Sequence, residues 1–151
     1  MKITRKHLVA AAAGGAVAGP LDLIAATAQF GVPLDVVCKS VASGWLGREA
    51  AMAGGLPVVV LGFASDVFIS MAAALVYVVF TPPAQIARPW LNGTLMGLAM
   101  FTAMRFLVVP LSAAGQGRMP PMVLAESLLV HAFLWGAPLA LVANWILTPR
   151  D

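Results

Sequence analysis

The sequence predicts an all-α integral membrane protein: a four-helix bundle, antiparallel up-down, with a short amphipathic interfacial helix between the first and second spans. Three observations predict it. Of 151 residues, 61% are hydrophobic and 10% are charged, with mean hydropathy +0.93. A soluble domain carries about 25% charged residues, and a soluble fold of this length does not hide so much apolar surface. Four apolar runs, 8–30, 55–80, 90–111 and 122–147, each reach the roughly 20 residues that cross a hydrocarbon core of about 30 Å. They do not alternate apolar and polar side chains as barrel strands do. One transmembrane domain therefore accounts for residues 1–151.

The first run follows a basic segment, Met1 to Lys6, and ends near Ala26-Thr27-Ala28, which resembles a signal-peptidase site. Pro20 and Asp22 interrupt the run, and it is long for a signal peptide, so an uncleaved first span is expected. Residues 33–47 are too few to cross a bilayer. Leu34, Val37, Cys38, Val41 and Trp45 recur at helical spacing, opposite Asp35, Lys39 and Ser43. Asp35 and Lys39 stand four apart as an ion pair, Pro33 suits a helix start, and Gly44 and Gly47 suit its end. The segment reads as a helix lying in the interface, or as a helical loop packed on the bundle. Thr81-Pro82-Pro83 stops the second span and Arg88-Pro89 precedes the third. A Gly/Pro-rich loop from Ser112 to Pro121 leads to the fourth. Phe30, Trp45, Phe80, Trp90 and Trp145 fall near span ends, where amphipathic rings settle.

Charge sets orientation. Lys2, Arg5, Lys6, Arg88 and Arg150 fall on one side and Lys39, Arg48 and Arg118 on the other, so both termini are expected in the cytoplasm. The net charge of +3 is scattered singly near span ends, with no basic run and no aromatic platform, so nucleic acid is not an expected partner. The single cysteine, Cys38, excludes an intrachain disulfide and a cysteine-based metal cluster. There is no GxSxG, HExxH, P-loop or CxxC, and one intramembrane histidine cannot ligate haem twice. No catalytic residue, cofactor or metal is expected.

Five ionisable residues lie within the spans: Asp22, Asp66, Arg105, Glu126 and His131. Each carboxylate or guanidinium at a helix centre costs roughly 2.5–3.5 kcal/mol of insertion. The large aliphatic residues of the first span supply roughly 2–4 kcal/mol on the same scale, so Asp22 nearly cancels them and this helix needs its neighbours. At 1.5 Å per residue, Asp22 lies about 12 Å from the outer end of its span, Asp66 about 16, Arg105 about 9, Glu126 about 6 and His131 about 13. All five are thus expected in the half of the membrane away from the cytoplasm. Their helix faces are shared with other residues, many of them small: Ala11, Gly15, Gly19 and Ala26 with Asp22; Gly62, Ser70, Ala73 and Tyr77 with Asp66; Gly93, Gly97 and Phe101 with Arg105; Ser127, Trp135 and Pro138 with His131. Gly15–Gly19 and Gly93–Gly97 are GxxxG pairs that permit close helix packing.

Tyr77, Trp90-Leu91-Asn92-Gly93 with Gly97, Val109-Pro110-Leu111, and Glu126 with His131 and Trp135 resemble the YagU-like bacterial inner-membrane proteins over roughly the second half of the chain. The first half, with Gly15-Ala16-Val17-Ala18-Gly19 and Ser40 to Gly47, resembles related small four-span bacterial proteins. The family pattern has a histidine where this chain has Asp66. The resemblance implies four spans in a bacterial inner membrane and no particular activity.

Three functions are compatible with these residues. Asp22, Asp66, Arg105 and His131 could line an outward-open path for protons or a small solute, in a homo-oligomer built on the GxxxG faces. The polar residues could instead be a structural network in an accessory or scaffold subunit of a larger membrane complex. Least favoured is a lipid or quinone enzyme with Glu126 and His131 as acid and base, because no nucleophile or metal set completes the site. Intact-mass measurement of the purified protein is expected to show the first span retained. A mature chain beginning at Gln29 would leave three spans and sink the four-helix reading.

Overall fold

The computed structural model describes residues 3–115 and 117–149, so Lys2 and Arg150 of the orientation count lie outside the described residues. It is helical throughout, with no strand among the described residues. Four helices are long and apolar enough to cross a membrane: α1 (Arg5–Phe30), α4 (Leu56–Phe80), α6 (Pro89–Leu111) and α7 (Pro121–Leu147). That is the signature of a multi-pass membrane protein. Three short helices, α2 (Leu34–Leu46), α3 (Arg48–Ala53) and α5 (Pro83–Ile86), occupy the connections. The spans predicted from the sequence agree with the long helices to within a turn.

Each helix starts and stops for a local reason. Thr4 caps α1: its side chain accepts from the His7 amide, while its own amide donates to His7 Nδ1 at 3.1 Å. Gly31, at φ 62°, takes the left-handed conformation that ends the helix. The helices α4, α5, α6 and α7 open with proline in the first turn, where a missing N–H removes no intrahelical bond.

Backbones approach closely where glycine permits. A Cβ on Gly15 of α1 would collide with the backbone of Met71, and one on Gly19 would stand 3.1 Å from Val67 Cα. On α6, a Cβ on Gly97 would strike the His131 carbonyl of α7, and one on Gly93 would lie 2.6 Å from the Gly136 carbonyl oxygen. Both GxxxG faces are therefore occupied by other helices of the same chain. The core between α1, α4 and α7 is made of small residues with a few large ones, Tyr77, Val78, Trp135 and Leu139. The faces turned outward are strongly apolar, with Phe68, Phe80, Leu111 and Met122 all at least 70% exposed. The five aromatics expected at span ends, Phe30, Trp45, Phe80, Trp90 and Trp145, are likewise exposed.

Two corrections to the sequence reading concern the helices themselves. The buried face of α2 is Val37, Cys38, Ala42 and Ser43, one step round from the expected stripe, and Leu34 and Trp45 are exposed. The cause is Gly62: its bare backbone admits the Cys38 carbonyl, and this contact sets the roll of α2 on α4. Asp35 and Lys39 form the expected pair at 3.7 Å. Secondly, α6 and α7 each contain a π-helical turn, Met104–Val108 and His131–Gly136. Both end just before a proline, Pro110 and Pro138. Proline cannot donate to the carbonyl four residues back and its ring crowds that carbonyl. The backbone widens instead, and the Val109 and Ala137 amides donate to Met104 and Ala132, five residues back.

Two outcomes follow from this packing. Gly97→Ala is expected to destabilise the protein by about 1–3 kcal/mol in thermal unfolding in detergent, whereas Gly117→Ala, with no atom near the added methyl, should leave unfolding unchanged. Cys38 is 1% exposed, and burial pushes its thiol pKa up, so little reactive thiolate forms near neutrality. It should label with a maleimide only after unfolding.

Candidate functional site

Three of the five intramembrane ionisable residues come from three different helices to one level. Counted from their helix ends, Asp22 of α1 lies about 12 Å in, and Asp66 of α4 and His131 of α7 about 15 Å. His131 Nε2 stands 3.7 Å from Asp22 Oδ1. Asp66 is within electrostatic range of Asp22. Glycine makes the approach of α1 to α4 possible at this level: a Cβ on Gly19 would lie 3.0 Å from Asp66 Oδ2 and 3.3 Å from Ser70 Oγ.

The surroundings of His131 fix the orientation of its ring. Its Nδ1 is 2.9 Å from the Ser127 carbonyl oxygen, four residues back. A carbonyl only accepts, so Nδ1 carries a hydrogen in either charge state. The other nitrogen, Nε2, faces the Asp22 carboxyl. The Phe101 ring meets the imidazole edge-on, with centroids 5.0 Å apart. His131 opens the π-helical turn of α7, which is where π turns often place functional groups.

The carboxyls are under-satisfied. Asp22 Oδ1 and Asp66 Oδ2 are buried and make no hydrogen bond to the described residues. An unsatisfied polar atom in an apolar interior costs free energy that a proton or a bound ligand can recover. The pair is not sealed: the side chains of His131 and Asp22 are 22% and 19% exposed.

Neutral hydrogen bonds continue the polar line to either side. Toward the ends of α1 and α7, Gln29 Nε2 donates to Ser127 Oγ at 2.8 Å and to the Val123 carbonyl at 3.3 Å. In the other direction, Trp135 Nε1 donates to Ser70 Oγ at 2.9 Å. Tyr77, two turns further along α4, buries a hydroxyl with no hydrogen bond to the described residues. Trp45 Nε1 donates to Ser65 Oγ at 3.0 Å and ties α2 to α4.

The other two residues stand apart in environment. Arg105 Nη2 donates to the Gly117 carbonyl at 2.6 Å, reaching up toward the loop after α6. The π turn that begins at Met104 breaks the four-residue spacing that would have kept it in line with Phe101. Glu126 is exposed. The sequence reading did not identify Gln29, Ser65 and Ser70 as hydrogen-bond partners across helices. Their signal was polarity at a span end and hydroxyls one residue before and one turn after Asp66. The π turns had a signal too, in Pro110 and Pro138.

No family model, curated protein or solved structure matches the chain. Trp135→Phe is expected to cost about 1 kcal/mol with its partner intact, more if Ser70 is left unsatisfied. A double-mutant cycle with Ser70→Ala measures the coupling, and zero coupling would rule out the hydrogen bond.

Proposed function

We propose that this chain is a multi-pass protein of a bacterial inner membrane that exchanges protons, alone or with a small solute, at the Asp22–His131–Asp66 site. One observation carries the reading. The Asp22 carboxyl faces the His131 imidazole, the Asp66 carboxyl lies within electrostatic range of Asp22, and one oxygen of each carboxyl is buried without a hydrogen bond to the described residues. A single histidine neutralises only one carboxylate. A second negative charge in hydrocarbon is costly without a proton or cation, so the site is suited to taking one up. Asp22 and His131 are not fully enclosed by the protein, which leaves the pair open to exchange.

The membrane arrangement is part of the proposal. Gly15 meets Met71 while Gly19 meets Val67, and Gly93 meets Gly136 while Gly97 meets His131, which supports an antiparallel up-down bundle. Arg5, Lys6 and Arg88 lie at one end, and Lys39, Arg48 and Arg118 at the other, which supports cytoplasmic termini and an outward-facing site. Between α1 and α4, α2 lies at the outer interface, held by Trp45 and by its contact at Gly62. Kinship with the YagU-like proteins rests on the residues quoted above. Since the GxxxG faces are filled within the chain, a homo-oligomer would use other surfaces.

A second reading, an accessory subunit with a structural polar network, is favoured by the neutral bonds that tie helices together, Gln29–Ser127 and Trp135–Ser70. Flux separates the two. In proteoliposomes carrying a pH-sensitive dye and an imposed pH gradient, wild-type protein is expected to dissipate the gradient. Asp66→Asn, Asp22→Asn and His131→Ala should fall to the level of empty vesicles while keeping wild-type helical content, and Glu126→Gln should remain active. Wild-type flux in the first three variants would sink the proton-exchange reading. Loss of abundance or melting temperature with no flux in any form would support the accessory subunit.

A further inference from the structure

Asp66 stands about 21 Å from the Phe80 end of its helix, so a proton taken up there has most of the hydrocarbon still to cross. Along that stretch α4 carries two polar side chains, Ser70 and Tyr77, which are 2% and 4% exposed. The facing stretches of α1, 9–21, and of α7, 136–142, carry none. Ser70 is rooted about 6 Å beyond Asp66, and Tyr77 about 10 Å beyond Ser70. From Tyr77 to the helix end is about 5 Å. Spacings of four and seven residues place all three on one face of the helix.

The Tyr77 hydroxyl makes no hydrogen bond to the described residues. Tyr77 shares a buried cluster with alanines of α1, α4 and α7, with Val78 and Leu139, and with Trp135. Aliphatic side chains accept no hydrogen bond, and the indole N–H of Trp135 is already given to Ser70 Oγ. A hydroxyl kept from water without a partner costs free energy that phenylalanine at the same position would not. Packing alone therefore has no use for this oxygen. A long side chain in a helix leans toward the helix N-terminus, which carries the ring of Tyr77 back from its root toward Ser70. Trp135 only donates to Ser70, so the Ser70 hydroxyl keeps its own hydrogen to give. Each of the two hydroxyls can thus take one hydrogen and pass on another.

We propose that Tyr77 is the proton relay between the level of Asp66 and the Phe80 end of the bundle. The inference rests on the proton-exchange reading of Asp22, Asp66 and His131, and it supplies the remaining part of that path. The transfer balances. A proton leaving Asp66 is taken by a water beside Ser70. That hydronium gives a hydrogen to the phenol oxygen while the phenol O–H passes its own hydrogen to a water on the Phe80 side. One proton enters, one leaves, and the phenol is neutral before and after.

Proteoliposomes of the full chain, with a pH-sensitive dye and an imposed pH gradient, test it. Tyr77→Phe should slow proton flux about a hundredfold. Its melting temperature should equal or exceed that of wild type, since the change removes only an unpartnered oxygen. Because the chain has one tyrosine, growth on fluorotyrosine labels this position alone. Fluorination makes the phenol lose its hydrogen at lower pH, and a phenolate has none to pass on. Flux through the fluorinated protein should therefore fall away on the alkaline side at a lower pH than in wild type, a shift that a ring serving only to pack does not produce. If Tyr77→Phe carries protons at the wild-type rate while Asp66→Asn carries none, the relay is overturned and the proton-exchange site stands. An unmoved pH profile in the fluorinated protein also overturns the relay, whatever Tyr77→Phe does to folding. A wild-type protein that carries no protons overturns both.

Discussion

Gly97 on α6 lies against the carbonyl of His131, and Gly15 and Gly19 on α1 lie against the backbone of α4 from Met71 to Val67. Between apolar helices in an apolar solvent there is no hydrophobic drive to associate, so the attraction must come from dispersion and from dipoles at short range. Both grow as backbones approach. Without side chains at these positions the helices come close enough for Asp22 to meet His131 and to lie within electrostatic range of Asp66. A methyl group at Gly19 would crowd Asp66, and one at Gly97 would push on the turn that holds His131. The polar site therefore depends on the places where side chains are missing.

The two π-helical turns express a related constraint. In hydrocarbon a backbone carbonyl that loses its amide partner has no water to turn to. Pro110 and Pro138 each remove one amide, and the chain answers by widening the helix over the preceding five or six residues. Each widening falls on an ionisable residue. Arg105 is carried off the line of Phe101, and His131 begins the turn that brings its ring between Phe101 and Asp22.

Much of this was legible in the sequence because the bilayer imposes a length and a polarity that leave few alternatives. The four long helices, the aromatic residues at their ends and the Asp35–Lys39 pair all follow from spacing and composition. The depth count placed Asp22, Asp66 and His131 at one level because rise per residue is constant in an α-helix. It did not anticipate the different setting of Arg105, because the π turn and the long flexible side chain both break that regularity. The roll of α2 was misjudged for another reason. Helical spacing identifies an apolar stripe, but a single bare backbone on the neighbouring helix, Gly62, decided which residues turned inward. The hydrogen bonds between distant residues, Trp135 to Ser70 and Gln29 to Ser127, depend on helix pairing that no local pattern encodes.

Gln29 sits at the far end of α1 and joins residues 123 and 127, which leave the ribosome 94 and 98 residues later. Asp22 likewise has its imidazole neighbour far along the chain, at position 131. The helix least able to enter the membrane by itself is synthesised before the other three spans, and its polar groups are met by α7, which follows the other spans in the chain. During biogenesis α1 must therefore wait, held by α4 alone or at the edge of the translocation machinery, until α7 arrives. Until then the Asp22 carboxyl has no imidazole beside it.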